Sequence, residues 1–239
     1  MLLSEIQNEI NHVRAWINKC LQDTEALSFK PFRVLLMIVI IDGFAQQEAG
    51  YETKNNLKCF TDFVVKFGGR LADILSEVCP VTLYYHYYDK ENLGNLRLPE
   101  GQIMSAGDHE LQKEAARILS LLPSKDREIA RRRHQYAGLI YALRNKIVHE
   151  LLYLNQQPNF QEDNVVQIPH MATRSKIGQD NDSIGRLVFD AWTIHIPIPF
   201  IERVLHETTE NYFQYCQSNS IMPFGKHSSE RKCMLSWHD

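Results

Sequence analysis

The chain has 239 residues, of which 44% are hydrophobic and 23% are charged. This composition is typical of a globular protein with one sizeable core or two small ones. The net charge of −3 excludes the overall basic field of a general nucleic-acid-binding protein, so any site for a polyanion must be local.

Neither the apolar runs nor the cysteines indicate a membrane or secreted protein. The longest apolar run, residues 34–41, is much shorter than the roughly 20 residues that cross a bilayer. Acidic residues come early and no cleavage pattern follows them, so we expect no signal peptide. The five cysteines are widely spaced and predict neither a disulfide framework nor a zinc site. We expect a reduced, cytoplasmic protein without membrane association, cofactor or metal.

Residues 3–121 are predicted to form a series of helices. Apolar residues recur at spacings of three and four in segments 3–23 and 53–67. Segment 32–47 is apolar nearly all round, so we expect this helix at the centre of the core. The segment 70–90 continues this pattern, and Pro80 is expected to break or kink it. Residues 91–107 are rich in turn formers and read as a loop, and a short helix is predicted from Asp108 to Leu121.

The longest helical candidate is the segment 123–154. Ser124 occupies the N-cap position, and an apolar stripe follows it. The stripe consists of Ile129, Tyr136, Ile140, Leu143, Ile147 and Leu151.

The character of the chain changes after residue 155. The segments 165–172 and 185–197 are rich in β-branched and aromatic residues, and a turn-rich stretch separates them. We interpret them as a β-hairpin. Pro199 then starts a last amphipathic helix that runs to about residue 217, and the polar tail 218–239 is expected to be loosely ordered. No linker is evident, so we predict one mainly α-helical domain, 1–239, with an added hairpin and closing helix.

A local charge asymmetry lies between Lys125 and His149. This segment contains seven basic and two acidic residues, in a chain whose net charge is negative. Such a run can simply be a solvated helix face whose arginine stems cover apolar surface. It can also supply a phosphate-binding surface, and the candidates are Arg131, Arg132, Arg133 and Lys146.

Three polar residues, Arg144, Asn145 and His149, interrupt the apolar pattern of the same segment. On a regular helix Asn145 and His149 face the same way, whereas Arg144 and His149 are about 140° apart. The arginine can curl around, the helix can loosen, or two copies of the helix can combine their residues in one site. Histidine titrates near neutral pH, and arginine offers a charged fork for phosphate oxygens, so the pair suits phosphodiester chemistry without a metal.

At these residues the sequence resembles the HEPN superfamily. Its members are helical bundles whose last core helix carries an arginine, four to six residues, and then a histidine, often with asparagine after the arginine. Arg144, Asn145 and His149 match this pattern with four residues between arginine and histidine. The apolar lead-in 138–143 and the helix pair at 33–67 are also similar. The resemblance covers roughly residues 25–155 and implies an antiparallel HEPN-type bundle to which the hairpin and last helix are added.

The resemblance implies a metal-independent endoribonuclease that works as a homodimer through the motif helix. His149 would assist attack by the RNA 2′-hydroxyl, Arg144 would bind and stabilise the phosphate, and Asn145 would support one of them. Such proteins often act as toxins or in antiviral defence, some beside an antitoxin or nucleotidyltransferase that modifies a tyrosine two residues after the histidine. Here that position is Leu151 and the nearest tyrosine downstream is Tyr153, a departure from that subgroup. Other members are non-catalytic interaction or nucleotide-binding modules, which is the alternative.

Overall fold

A computed structural model describes residues 2–25, 30–50, 55–89, 91–99, 102–150, 168–173, 186–189 and 192–223. Within these ranges the protein is mainly helical, as the sequence predicts, and it carries a small antiparallel sheet. No helix in the described part is long and apolar enough to cross a membrane. The helices are α1 (Leu2–Glu25), α2 (Lys30–Ala49), α3 (Asn56–Phe67), α4 (Ala72–Ser76), α5 (Pro80–Tyr87), α6 (His109–Leu121), α7 (Ser124–His134), α8 (Tyr136–Glu150) and α9 (Ile198–Ser218).

The apolar stripes of the sequence face one hydrophobic core. Helix α2 lies among α1, α3, α8 and α9, which explains why it is apolar on most sides. Its solvent side still exposes two large apolar residues, Phe32 and Val39. Capping side chains fix two helix starts: Asn55 accepts the Lys58 amide at 3.0 Å, and Asp108 accepts the Glu110 amide at 2.9 Å. The predicted helix start at Asp108 and break at Pro80 are confirmed, since α5 begins at that proline.

Helix α9 belongs to the central core and is not an addition to it. It packs on α1, α2 and α3, and it buries its apolar stripe among the phenylalanines of α2 and α3. Arg14 of α1 makes an ion pair with Glu210 of α9 and stacks over Phe213. The proposed core of about 25–155 is therefore too narrow, because the first and last helices complete it. Residues 224–239 of the predicted loose tail lie outside the described residues.

The single long helix predicted over 123–154 is two helices, and this prediction was wrong. Gln135 leaves the helical conformation with a ψ of 154° and pairs with Val78 in a β-bridge. Its neighbours bond to the same extended segment, since the Cys79 amide donates to the His134 carbonyl at 2.8 Å and the Tyr136 amide donates to the Glu77 carbonyl at 2.9 Å. These tertiary bonds replace helical ones, so the chain turns between α7 and α8.

A glycine permits the close packing at this break. A Cβ at Gly138 would collide with the backbone carbonyl oxygens of Arg132 and Arg133 at the end of α7. The break also separates the predicted stripe: Tyr136 and its successors on α8 are buried, whereas Ile129 on α7 is 56% exposed. Ser124 is the first residue of α7 and Pro123 is its N-cap, so the serine does not cap the helix as predicted. Leu151 lies outside the described residues.

The sheet is larger than the predicted hairpin. In the described part of the chain it has four strands, β1 (Ile103–Ser105), β2 (His170–Thr173), β3 (Arg186–Phe189) and β4 (Trp192–His195), in the antiparallel order β1-β2-β4-β3. The segments 165–172 and 185–197 do pair, through β2 and β4, but the second segment itself forms two paired strands. Strand β1 comes from the predicted loop 91–107. Met104, Met171 and Ile194 are in register and point into the core.

Candidate functional site

Helix α8 carries two of the candidate residues, Arg144 and Asn145, outside the face that it buries in the core. Leu143 and Ile147 are buried against α2 and α3, which fixes the rotation of the helix. Arg144 and Asn145 follow Leu143 by about 100° and 200°, so they turn away from the core. Arg144 lies at the boundary with a side chain 31% exposed, Asn145 is exposed, and Lys146 is half-buried. Two members of the polar trio, Arg144 and Asn145, therefore reach the surface.

The Arg144 guanidinium is held by two neighbouring groups. Its Nη2 lies 3.6 Å from Oδ2 of Asp42 on α2, and its Nη1 donates to the Tyr141 hydroxyl at 3.4 Å. Its Cζ also lies 5.7 Å from the centroid of the Tyr141 ring, which in turn packs on Phe60. The contact with Tyr141 is long for a hydrogen bond, and the contact with Asp42 is an ion pair beyond hydrogen-bond distance. The guanidinium is therefore oriented by these neighbours and keeps donors for another partner.

Asp42 is the residue of this site that sequence reasoning missed. It is 8% exposed, and burial raises the pKa of its carboxyl, although a hydrogen bond from Gln46 and the charge of Arg144 lower it. The Gln46 amide donates to Oδ1 at 3.4 Å. A signal was present in the sequence, because Asp42 is the single charged residue in the apolar stretch 34–45. Buried carboxylates are rare unless they are paired, so such a residue indicates a partner on a neighbouring helix.

The histidine of the motif occupies the last turn of α8. Position 149 follows Asn145 by one helical turn, so the two positions share a helix face. The side chain of His149 lies outside the described residues, and so does Tyr153. The role assigned to His149 stays a prediction.

The structure does not bring together the three consecutive arginines near the end of α7. Arg132 pairs with Asp62 of α3 and with Glu128 of its own helix. Arg133 approaches His86 of α5, and Arg131 lines a cleft on another side. Consecutive residues on a helix point about 100° apart, so a run of arginines cannot form one stripe. The binding role of these residues stays a prediction, and any contribution they make to it comes from separate surfaces.

The cleft that Arg131 lines has a volume of about 500 Å³ and lies between α4, α6 and α7. Its wall includes two acidic residues, Asp73 and Glu77, and a second basic one, Arg127. Glu77 holds the wall in place, because its carboxylate accepts the Gly107 amide at 2.7 Å and the Gln112 side chain at 3.0 Å. The cleft is therefore mixed in charge, unlike the basic cleft that a phosphate-binding site on α7 requires.

Among the described residues, no three histidine, cysteine or acidic side chains come together as they do in a metal site. Comparisons with protein-family models, with curated proteins and with solved structures give no match to this chain. The resemblance of residues 144–149 to the HEPN motif therefore rests on the sequence itself.

Proposed function

We propose that this protein is a metal-independent endoribonuclease of HEPN type and that α8 carries its active site. The observation that supports this best is the placement of Arg144. It is partly exposed, it stands beside a carboxylate without a short hydrogen bond to it, and it adjoins the exposed Asn145. A purely structural trio is expected to be buried, with each donor paired inside the protein.

The reaction assigns one task to each residue. His149 accepts the proton of the RNA 2′-hydroxyl as its oxygen attacks the phosphorus. Arg144 stabilises the charge that builds on the phosphate oxygens, and Asn145 orients either the histidine or the substrate. The bond from phosphorus to the 5′-oxygen breaks, and that oxygen takes up a proton. The products are a 2′,3′-cyclic phosphate and a 5′-hydroxyl.

Asp42 is expected to orient Arg144 in this reaction. Its carboxylate lies 3.6 Å from the guanidinium, close enough to fix the direction of the side chain by charge. The same carboxylate competes with the phosphate for the guanidinium. Burial raises the pKa of Asp42 and so disfavours its charged form. This weakens the ion pair, and the Arg144 guanidinium remains available to a phosphate.

A homodimer through α8 is part of this proposal. Arg144 and position 149 point in different directions on one helix, so two facing copies bring an arginine and a histidine together. The solvent side of the neighbouring helix α2 supports such an interface: Val39 is 44% exposed, and a Cβ at Gly43 would meet no atom within 4 Å. Ala142 is also exposed on α8. Ala142 precedes Asn145 by three residues, so these two positions share a face of α8.

The deciding experiment is RNA cleavage in excess EDTA by wild type, Arg144→Ala and His149→Ala. We expect cleavage by wild type with cyclic-phosphate ends, identified by mass spectrometry, and losses of at least about a hundredfold in either variant. Lys113→Ala removes an exposed cation on α6 and serves as the control with unchanged cleavage. All variants are checked for folding by circular dichroism.

Two outcomes would contradict the proposal. Absence of cleavage by a folded wild-type dimer on a broad panel of RNAs would favour a non-catalytic interaction module. A cleavage rate that stays flat from about pH 5 to 8 would exclude His149 as the proton acceptor, since histidine titrates in that range.

A further inference from the structure

The cleft between α4, α6 and α7 brings together opposite charges that do not touch. Asp73 on α4 and Glu77 directly after this helix line one side, and Arg127 and Arg131 of α7 line another. Within the described residues, neither of these arginines has a nitrogen within 4.0 Å of a carboxylate oxygen, whereas the neighbouring Arg132 pairs with two carboxylates. A gap of more than 4.0 Å therefore separates the two signs of charge.

Contacts outside the cleft hold one acid and one arginine in place. The carboxylate of Glu77 is held by α6 and the loop before it, and its backbone carbonyl accepts the Tyr136 amide at 2.9 Å. Arg127 donates from Nε to the Leu122 carbonyl and from Nη2 to the Ser120 carbonyl, each at 2.9 Å. These bonds keep the two walls apart, so the cleft is formed before any ligand arrives.

The other two charged side chains are open to solvent. Asp73 and Arg131 are both exposed, and within the described residues neither side chain has a hydrogen bond or an ion pair. Because these residues line the cleft and are exposed, a ligand reaches them without any movement of the chain. They are therefore the groups that a ligand is expected to contact first.

The cleft also has an apolar wall. Val78 is half-buried, and Ala115 and Leu119 of α6 are buried where they line it. Its volume of about 500 Å³ is that of a site for a small molecule. The two acids repel a polyanion and the two arginines repel a polycation, so a ligand with one charge of each sign suits the cleft best.

We propose that this cleft binds a small zwitterion with an apolar side chain, either a free α-amino acid or a short peptide. The carboxylate of the ligand accepts hydrogen bonds from Arg131, and its ammonium group donates to Asp73. The side chain of the ligand packs on the apolar wall formed by Val78, Ala115 and Leu119. The site uses none of the residues to which RNA cleavage is assigned, so it does not rest on the proposed nuclease activity.

The test is a titration of the full, isotope-labelled chain with L-leucine at pH 7, followed by its backbone amide signals. We expect saturable shifts of the amides that line the cleft. Leucinamide keeps only the positive charge and isocaproate keeps only the negative one, and each is expected to bind about tenfold more weakly than leucine. Leucyl-leucine distinguishes the two sources, since a peptide site binds it more tightly than leucine and an amino-acid site shows the opposite order.

Two variants assign each charge of the ligand to its partner. Arg131→Gln should abolish the preference for leucine over leucinamide, and Asp73→Asn should abolish the preference for leucine over isocaproate. Each variant should bind leucine about tenfold more weakly than wild type. Both side chains are exposed and lack a described partner, so both variants are expected to keep the fold. Lys125→Gln on α7 and Asp89→Asn after α5 remove exposed charges outside the cleft and should leave binding unchanged.

Three results would overturn the proposal. The first is the absence of shifts in the cleft at the highest soluble concentrations of leucine and leucyl-leucine. The second is equal binding of leucine, leucinamide and isocaproate by wild type, because the two charges would then have no role. The third is a loss of binding in the control variants as large as in Arg131→Gln and Asp73→Asn. RNA cleavage in EDTA is a separate readout, so the failure of either proposal is distinguishable from the failure of the other.

Discussion

Arg144 and Asp42 face each other across the contact between α8 and α2, with 3.6 Å between Nη2 and Oδ2. The pair is unequal, because the arginine reaches solvent while the aspartate is buried. The carboxylate bears most of the cost of desolvation, and a single long charge pair repays it only in part. We expect this imbalance to be measurable as a pH-dependent stability.

Asp42→Asn is expected to stabilise the protein at pH 7, by on the order of 1 kcal/mol. Burial raises the pKa of Asp42 in the folded protein, so the unfolded carboxyl loses its proton first as pH rises. The free energy of unfolding therefore falls from about pH 4 up to the folded pKa. Urea unfolding of both proteins at pH 4 and pH 7 would measure this, with a smaller gain at pH 4. Lower stability of the variant at pH 7 would mean that pairing with Arg144 outweighs the cost of burial.

Asp62→Asn provides the opposite case. Partial burial raises the pKa of Asp62, but hydrogen bonds from Lys58 and Arg132 outweigh it and lower the pKa overall. Its charge is therefore favoured in the folded state, and the variant is expected to lose a small amount of stability at pH 7. If both aspartate variants change stability in the same direction, the changes do not arise from the two ionisation equilibria.

Gly138→Ala is expected to destabilise the protein by about 1–3 kcal/mol, because the new methyl group collides with backbone carbonyls that cannot move aside easily. Gly43→Ala is the matched control on α2, where a Cβ meets no atom within 4 Å. There the substitution should stabilise the helix by about 0.5–1 kcal/mol. Urea unfolding of both variants tests the pair. A neutral Gly138→Ala would show that the chain turn between α7 and α8 can widen without cost.

His134 is expected to make the protein sensitive to acid. The pKa of the folded group is about 3 and that of an unfolded histidine is about 6.5, so below pH 6.5 the unfolded state binds more protons. As the pH is lowered from about 6.5 to about 3, the free energy of unfolding therefore decreases by about 1.4 kcal/mol for each pH unit. His134→Leu should be more stable than wild type at pH 5, with a smaller difference at pH 7. A constant difference at both pH values would contradict the lowered pKa, which burial of the ring in the folded protein causes.

Val39→Glu on α2 and Ala142→Glu on α8 are each expected to weaken a dimer formed through α8. Both residues are exposed, so neither change should lower the stability of the monomer by more than about 0.5 kcal/mol. Sedimentation at several concentrations should reveal dissociation, and RNA cleavage should fall with it. Leu121→Glu on α6 changes an exposed apolar residue elsewhere and should leave the dimer intact. Equal effects of all three variants would place the interface elsewhere or exclude it.

The sequence predicts elements whose cause is local. The predicted amphipathic helices α1 and α9 are confirmed. Their apolar residues recur every three or four positions because the helix has about 3.6 residues per turn, so this pattern can be recognised without knowledge of any packing partner. The polar face of α8 was predicted for the same reason, since the buried positions Leu143 and Ile147 fix the direction of Arg144 and Asn145.

Features that depend on distant residues could not be predicted in this way. The break at Gln135 is caused by bonds to the segment 77–79, which lies far away in sequence. Strand β1 has three residues, too few to display a period, and it exists because β2 pairs with it. The pairing of Asp42 with Arg144 depends on how α2 packs against α8, which the local pattern of neither helix determines.

The position of α9 has a consequence for the synthesis of the protein. The phenylalanines of α2 and α3 pack on Tyr212 and Phe213, which leave the ribosome long after those helices have been made. The ion pair between Arg14 and Glu210 likewise cannot form until Glu210, 196 residues later in the chain, has been synthesised. We therefore expect the nascent chain to keep a large apolar surface uncovered until α9 emerges, and this core to be completed only then. During that period we expect the unfinished chain to be prone to aggregation and to be a substrate for chaperones.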